Sequence, residues 1–159
     1  MLLLLATVLL TSCEKDIASD DDKGKDKPVE TIIGTEDDAP ENYSTVAEAI
    51  EAEMGSYLCV KGYIVASTQR SIKNADFEAP FEGSTAIVLA DMKADDDTEY
   101  DYDKVMPVCL TDCSKTIRNA LNLVDNPGNW NCVVYIYGYK ARYLSMPGLK
   151  NVQKYLIIQ

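Results

Sequence analysis

Tyrosines recur at every second position in one segment of the chain, "CVVYIYGYKARY" (132–143). In a β-strand this spacing places the rings of Tyr135, Tyr137 and Tyr139 on one face, and the valine and isoleucine between them on the other. A phenol ring has a flat apolar face and a polar tip, which suits stacking on sugar rings or nucleic-acid bases. Tyrosine is also simply a good strand former, and the N-terminal helix could cover this face. The predicted aromatic patch consists of Tyr57, Tyr63, Tyr135, Tyr137 and Tyr139.

Basic residues interleaved with aromatic ones form a second candidate site, in the segments after the first and fourth predicted strands. Positive charge attracts an anionic polymer and aromatic rings stack on its units, so the pattern fits a nucleic acid or a charged glycan. We favour this set over the tyrosine patch as the ligand-binding site. Its members are Arg70, Lys73, Phe77, Phe81, Arg142, Tyr143 and Lys150.

The composition argues against an enzyme. The chain contains no histidine, which is the usual general base near neutral pH. It also lacks a glycine-rich phosphate loop and a serine-centred nucleophile elbow. The alternating acids from Asp95 to Asp103 could hold calcium, but they lack the glycine of an EF-hand loop and are better interpreted as a solvated loop. We therefore predict no catalytic residue, no cofactor and no metal site.

The cysteines divide into one near the N-terminus, Cys13, and four further along the chain, Cys59, Cys109, Cys113 and Cys132. In an oxidising compartment these four could form disulfides in any of three connectivities. Cys109 and Cys113 are close enough in sequence to pair if the chain turns sharply, so they are the candidate disulfide. Free buried thiols remain open, whereas a zinc site is disfavoured because histidine is absent.

The N-terminus has the pattern of a bacterial lipoprotein signal. A short apolar segment, "MLLLLATVLL", is about half as long as a membrane-spanning helix and is followed directly by "LTSC". Residues 1–12 are therefore predicted as a signal peptide and Cys13 as the lipid attachment residue, with the membrane as a partner through the N-terminal lipid. A basic n-region is missing, and a cytosolic protein with an apolar N-terminus is the alternative.

Acidic charge is concentrated outside the predicted domain body. Residues 14–55 contain 14 acids and 4 bases, and residues 91–103 contain 7 acids and 1 base. The low sequence pI of about 4.4 therefore does not exclude an anionic ligand for the rest of the domain, where bases outnumber acids. Residues 13–42 are predicted as a disordered acidic tether, because they offer almost nothing to bury.

The patterns of the remaining chain predict one mainly β domain over residues 43–159. An N-terminal helix begins at a capping box of Thr45 and Glu48. Five strands are predicted at 57–67, 85–91, 104–110, 132–140 and 151–159, with a helix in "DCSKTIRNALNLV" and Pro-Gly turns in "DNPGNW" and "SMPGLK". This order is that of an OB-fold, a five-stranded Greek-key barrel with its helix between strands three and four, which commonly binds ligands over strands two and three. Another α+β sandwich is the alternative.

Several segments also resemble a known family, among them "VKGYIV", "ALNLVDNPGN" and "GLKNV". The chain is similar, over about residues 43–159, to an uncharacterised OB-fold-like domain of secreted and lipid-anchored Bacteroidetes proteins. The resemblance implies an OB-like barrel and a location outside the cytoplasm, in this case an outer membrane, on its periplasmic or cell-surface side. It implies no established activity, so no catalytic residues follow from it.

Together these features predict a lipid-anchored extracytoplasmic binding or accessory module. Its ligand would be a glycan or a single-stranded nucleic acid. The alternative is a non-catalytic structural or protein-interaction subunit of a cell-surface complex, with the tyrosine-bearing strand as its docking edge.

Overall fold

The computed structural model describes residues 32–95 and 99–159. The predicted signal peptide (1–12), Cys13, the tether as far as residue 31, and Asp97 lie outside the described residues. In the described part, six strands form one mixed sheet with few helices, which confirms the mainly β class. The strands are β1 (Ile33–Gly34), β2 (Tyr57–Thr68), β3 (Ala86–Ala90), β4 (Met106–Cys109), β5 (Val133–Tyr143) and β6 (Met146–Ile158), and the helices are α1 (Val46–Glu51) and α2 (Lys115–Leu121).

Five of these strands form a closed ring of pairings. β2 pairs with β3 and β5, β4 pairs with β3 and β6, and β5 also pairs with β6. The pairings are antiparallel except for β4 with β6, which is parallel. β1 adds to β6 in parallel. Because β5 has partners on both sides, it presents a face but no free edge, contrary to the predicted docking edge.

Regular structure begins before the predicted domain boundary at residue 43. Ile33 and Gly34 pair with Ile157 and Ile158 of β6, although the sequence placed them in a disordered tether. Glycine fits this close approach, because a Cβ at position 34 would lie 2.7 Å from the Leu156 side chain. A pairing of two residues is too short to produce a periodic pattern, so the sequence did not reveal it.

The turn between β5 and β6 lies at Leu144–Ser145, so the predicted turn in "SMPGLK" was wrong. Both residues have positive φ angles, 49° and 68°, as the two central residues of a type I′ hairpin require. This turn pairs the flanking Tyr143 directly with Met146 and brings the Pro-Gly sequence inside β6. Three candidates that the sequence placed in a long loop therefore lie within strands: Arg142, Tyr143 and Lys150.

Buried apolar residues form two clusters, on opposite faces of the sheet. Ile87 and Leu89 of β3 join the interior cluster, which also receives side chains from both helices. Val88 and Ala90, which alternate with them, belong to a cluster on the outer face, and β3 is therefore buried on both sides. We call this second group the outer cluster; its buried members are Val65, Ala66, Ile72, Val88, Ala90, Ala94 and Val105.

The N-terminus of α1 is fully supplied with hydrogen-bond acceptors. Thr45 accepts from the Glu48 N–H and Glu48 accepts from the Thr45 N–H, which confirms the predicted capping box. The two carboxylate oxygens of Asp91 accept from the N–H groups of Val46 and Ala47, at 2.8 and 3.0 Å. The helix start is thereby tied to the end of β3.

The C-terminus of α1 is fixed by Lys140 of β5. This side chain is only 4% exposed, and its Nζ donates to the carbonyl oxygens of Ile50 and Ala52. A cation at a helix C-terminus meets the negative end of the helix dipole as well as unpaired carbonyls. The helix therefore packs Val46 and Ala49 into the interior cluster and does not lie over the outward tyrosines of β5.

Candidate binding surface

The alternating tyrosines of β5 lie beside the outward residues of β2. Across the two strands, Tyr57 is opposite Tyr139, and Lys61 is opposite Tyr135. On the other side of β5, Tyr137 is opposite Lys154 of β6. The predicted aromatic patch is thus one continuous surface on three neighbouring strands. We call it the aromatic strip and include the two residues that pack onto it, so that it comprises Tyr43, Tyr57, Lys61, Tyr63, Lys93, Tyr135, Tyr137, Tyr139 and Lys154.

Three rings of the aromatic strip are widely accessible, those of Tyr43, Tyr57 and Tyr139, and the last two contact each other. Tyr57 is 51% exposed and Tyr139 is 43% exposed, and their ring centroids lie 5.0 Å apart with 55° between the planes. Tyr137 lies 6.5 Å from Tyr57 in a tilted arrangement and is half-buried. The Tyr57 and Tyr139 rings therefore contact each other while about half of each side chain stays open to solvent.

Tyr135 is not accessible, although the sequence placed it on the outward face. It does point outward, but it is only 4% exposed because Tyr43 packs edge-on against it at 5.4 Å. Tyr43 itself is 44% exposed, so it takes over the accessible position. The cover therefore comes from the segment before α1 and not from the helix.

Three lysines lie over tyrosine rings of the aromatic strip. The Nζ of Lys61 is 5.2 Å from the Tyr43 ring centroid and 5.8 Å from that of Tyr135. Two further pairs have the same geometry: Lys93 over Tyr63 at 5.7 Å and Lys154 over Tyr137 at 5.2 Å. None of the three lysines has a carboxylate within salt-bridge distance among residues 32–95 and 99–159. Their charge is therefore available to an incoming anion as well as to the rings.

Burial and neighbouring groups shift the pKa values of ionisable groups in and beside the aromatic strip. Burial lowers the pKa of Lys61, but the phenols of Tyr135 and Tyr43 raise it by more, so this lysine is a cation at neutral pH. Burial, together with the neighbouring Cys59 thiol, raises the pKa of Tyr137 to about 12. Burial likewise raises the pKa of the Cys59 thiol. At neutral pH Tyr137 therefore presents a neutral phenol and Lys61 a positive charge.

The seven basic and aromatic candidates in the segments after the first and fourth predicted strands, which we call the loop rim, differ from the aromatic strip, because several of them make contacts within the domain. Phe81 is 8% exposed and belongs to the interior cluster, with its ring 6.3 Å from that of Trp130. Phe77 stacks on Tyr100 at 4.5 Å, and Lys150 forms a salt bridge with Asp112 at 3.8 Å. These three side chains therefore have partners within the domain, and their contacts stabilise the fold.

Tyr143 is half-buried, and its hydroxyl donates to the Thr85 carbonyl at 3.4 Å. Burial, with the nearby Cys109, raises the pKa of the Tyr143 phenol. The remaining rim candidates, Arg70, Lys73 and Arg142, are exposed. None of these three side chains lies over an aromatic ring of the described residues, so the interleaving seen in the sequence does not become a stacking site.

The outer face of β3, the second strand of the ring, is covered. Val88 is fully buried and Ala90 is 5% exposed, beneath Ile72 from the loop after β2 and Val105 from the segment before β4. A ligand over this part of the sheet would have to displace the outer cluster. The predicted position over strands two and three is therefore occupied by the chain itself.

A cleft of about 500 Å³ lies beside these loops, with aromatic walls formed by Phe77, Tyr100 and Trp130. The Trp130 N–H donates to the Val65 carbonyl at 3.0 Å, which fixes the indole. Asp76 and Asp95 also line this cleft, and burial with the Asp95 charge raises the pKa of Tyr100 to about 12. The acids make this cleft a poor match for an anionic polymer.

The four described cysteines are free thiols, so the candidate Cys109–Cys113 disulfide is not formed in this structure. The Cys113 thiol donates to the Leu110 carbonyl at 3.2 Å, and Cys109 contacts Thr111 Oγ1 at the same distance. Burial raises the pKa of Cys113 to about 11. A thiol with so high a pKa is a poor nucleophile at neutral pH.

The described residues contain no cluster of three or more His, Cys, Asp or Glu side chains with the geometry of a metal site. No helix within residues 32–95 and 99–159 is both long and apolar enough to span a membrane.

Sequence reasoning missed four members of the aromatic strip: Tyr43, Lys61, Lys93 and Lys154. Two of them carried a usable signal. Lys61 has the same parity as Tyr57 and Tyr63 in β2. Lys154 lies on the strand that follows β5 in the chain, and consecutive strands usually pair. Tyr43 and Lys93 lie outside the strands, where parity gives no guidance.

Fold and surface together define a small β-rich domain with an accessible aromatic face. Residues 44–158 match a family described as a domain of unknown function (DUF6359). The match covers most of the chain, so the protein belongs to this family of uncharacterised domains. No curated protein and no solved structure matches the chain.

Proposed function

We propose that this protein is a non-catalytic binding module, lipid-anchored outside the cytoplasm, and that its ligand is a glycan held on the aromatic strip. The observation that carries the proposal is the pair of accessible, mutually packed rings of Tyr57 and Tyr139 on a strip whose lysines have no carboxylate within salt-bridge distance among the described residues. Tyrosine faces stack on the C–H faces of sugars, and phenol hydroxyls exchange hydrogen bonds with sugar hydroxyls.

A single-stranded nucleic acid is the other ligand class that fits stacking rings and positive charge. The strip favours a glycan because its cations are lysines placed singly over rings, whereas nucleic-acid channels follow the backbone with a continuous positive groove. Binding that depends on all three lysines would show a salt slope of only about −2 for a single strand.

The proposed architecture is an OB-like Greek-key barrel built from β2 to β6. The ring order β2-β3-β4-β6-β5 supports it, as does the parallel pairing of β4 with β6, the third and fifth of these five strands in chain order. The position of α2 between the third and fourth strands agrees with the same topology. Residues 44–158 would then be one such domain of an uncharacterised Bacteroidetes family.

The lipid anchor is proposed from the sequence pattern that ends at Cys13. Lipidation there would place the domain on an outer membrane, at its periplasmic or cell-surface side. Replacing Cys13 by serine should move the protein from the membrane to the soluble fraction of its host. Continued membrane fractionation of Cys13→Ser would contradict the anchor.

The edge of the sheet favours a second function, a structural or protein-interaction subunit of a cell-surface complex. β1 lies at the end of the strand order, where Ile33 of β1 is 53% exposed and the preceding Ile32 is 42% exposed. Such an edge can be extended by a strand from another protein. Ile33→Lys should abolish an association of this kind without affecting ligand binding on the aromatic strip.

An array of glycans and single-stranded oligonucleotides tests the proposal. We expect wild-type protein to bind a subset of glycans, and Tyr139→Ala to weaken that binding about tenfold, since a stacked ring contributes roughly 1–3 kcal/mol. The matched control is Tyr102→Ala, because Tyr102 is 42% exposed, almost the same as Tyr139, and lies outside the strip. A blank array, or equal losses in both variants, would contradict the proposal.

A salt titration of any hit separates the two ligand classes. Binding of a nucleic acid weakens linearly in log[salt], with a slope set by the number of neutralised phosphates. Binding of a neutral glycan by stacking should change little between low and physiological salt, and a glycan with one bound carboxylate should weaken less than a nucleic acid that uses all three lysines.

A further inference from the structure

A cleft of about 420 Å³ lies at the Tyr63 end of the aromatic strip. Its lining includes Tyr43, Thr45, Lys61, Tyr63, Asp91 and Val133. We propose that this cleft is a subsite for a uronic acid unit, with the sugar ring against a tyrosine and the carboxylate on Lys61. The inference rests on the proposed function and deepens it, because it names the class of glycan as acidic.

The Tyr43 wall of the cleft is fixed by the backbone around it. The N–H of the next residue, Ser44, donates to the Cys59 carbonyl at 2.8 Å, and the Ser44 carbonyl accepts from the Lys61 N–H at 2.9 Å. On the other side, Tyr43 rests edge-on against the buried Tyr135. A wall held in this way needs little ordering when a ligand binds, which reduces the entropic cost of association.

Positive charge is available at two positions in and beside the cleft. Lys61 contributes to the lining. Lys93 lies over Tyr63, another lining residue, with its Nζ 5.7 Å from the ring centroid. Neither has a carboxylate partner among the described residues. A carboxylate entering the cleft would form a charge-assisted hydrogen bond with Lys61, the stronger kind of hydrogen bond.

The one acid in the lining does not compete for this charge. Both carboxylate oxygens of Asp91 accept backbone N–H groups, from Val46 and Ala47 of α1. Its negative charge is therefore directed at the helix N-terminus, where it is stabilised by the helix dipole. Lys61 keeps its charge for an external anion.

The same arrangement favours a carboxylate over a phosphate. Phosphates are commonly bound by helix N-termini or by arginine forks. The first two N–H groups of α1 are already bonded to Asp91, and the described residues that line the cleft include no arginine. A lysine that lines the cleft together with Tyr43, Tyr63 and the apolar Val133 matches the carboxylate and C–H face of a uronic acid.

The subsite would be one of several along the strip. Tyr57 and Tyr63 are six residues apart on β2, which corresponds to about 20 Å at roughly 3.3 Å per residue. An oligosaccharide that places an acidic unit in the cleft can therefore extend toward the exposed rings of Tyr57 and Tyr139. A single oligosaccharide would then make both the carboxylate contact with Lys61 and the stacking contacts with the tyrosine rings.

Calorimetry on the full chain tests the subsite with a tetrasaccharide of glucuronic acid and N-acetylglucosamine and with its carboxyl-reduced derivative. We expect the acidic form to bind about tenfold more tightly, since a charge-assisted hydrogen bond is lost on reduction. Lys61→Met should remove that preference. The matched control is Lys104→Met, because Lys104 is exposed and its partner is Asp101, away from the strip.

Amide shifts of the wild-type protein provide a readout that needs no variant. On titration with the acidic tetrasaccharide, the resonances of Lys61, Gly62 and Tyr63 should move more than those of the loop after β2. Equal affinity for the two tetrasaccharides, or shifts confined to that loop, would overturn the uronic acid subsite. If both bind equally and Tyr139→Ala weakens both, the glycan-binding function stands; if neither binds and the glycan array is blank, both proposals fail.

Discussion

The two halves of β2 carry their outward side chains into different surroundings. In the C-terminal half, Val65 and Ala66 are fully buried in the outer cluster, beneath loops that cross the sheet. In the part of β2 before Ile64, Tyr57 remains 51% exposed and Tyr63 is half-buried beside a cleft. One strand therefore contributes to a sealed face and to an open one.

The difference shows that the open face of a small β domain follows from where its loops pack. The divide falls at a register shift between Ile64 and Ala66 in the pairing of β2 with β3. Such bulges re-aim side chains, and here the bulge turns Ala66 away from the interior. Small aliphatic residues lie outward beyond this point, and amphipathic tyrosines lie outward before it.

The sharpest contrast between the two faces should come from a buried charge. Val88→Asp would place a carboxylate in the outer cluster, where Val88 is fully buried, and should lower the free energy of unfolding by about 4 kcal/mol or more. Tyr139→Asp on the open face should lower it by less than about 1 kcal/mol. Urea denaturation of both variants checks this, and similar losses would show that the faces do not differ.

A cavity in the loop that seals the outer cluster should have a smaller effect. Ile72 is 8% exposed, so Ile72→Ala should cost roughly 2–3 kcal/mol of stability. The comparison variant, Tyr57→Ala, should cost under about 1 kcal/mol while weakening ligand binding. If Ile72→Ala proved as mild as Tyr57→Ala in urea denaturation, the loop would not be a structural cover.

Alkaline titration compares one phenol from each region. The pKa values of Tyr100, beside the outer cluster, and Tyr137, on the strip, are both raised by burial from 10.0 to about 12. Between these values the folded state retains protons that the unfolded state has lost, so stability is fully present below about pH 10 and falls as pH rises toward 12. In a pH titration followed by phenolate absorbance, Tyr137→Phe and Tyr100→Phe should each lose part of the step that wild type shows near pH 12. If either variant instead lost part of the step near pH 10, the burial of the replaced ring would be contradicted.

The smallest effect, a gain in stability, is expected at the β5–β6 hairpin. Leu144 and Ser145 both adopt positive φ, which is unfavourable for side chains other than glycine and asparagine. Replacing them together by Asn and Gly should raise the free energy of unfolding by about 1 kcal/mol. A decrease in thermal denaturation midpoint would mean that the Leu144 side chain contributes more by packing than it costs in strain.

Residue periodicity predicted much of the scaffold. Alternation identified the strands that became β2 to β6, and the capping box placed the start of α1 at Val46. The second predicted helix begins after its N-cap, Ser114, inside the predicted segment, whereas Val124 lies beyond the helix and is 42% exposed. These signals are local, so the sequence carries them directly.

The candidate site was harder to predict because it depends on contacts between distant segments. Parity correctly turned Tyr135 outward, but only tertiary packing shows that Tyr43 covers it. Phe81 lies in a predicted loop with basic residues, as a ligand-stacking aromatic would, yet it packs into the interior cluster. Ala66 shares parity with Ile64 but leaves the interior at a bulge that no residue pattern announced.

The most direct test of the central claim compares the aromatic strip with the loop rim on one ligand. Binding of the strongest array hit would be measured for wild type, for Tyr57→Ala with Tyr139→Ala, and for Arg70→Ala with Arg142→Ala, after unfolding curves confirm that both variants are folded. Binding on the aromatic strip predicts a loss of tenfold or more for the tyrosine pair and about twofold or less for the arginine pair. The reverse order would place the binding surface at the loop rim and contradict the account.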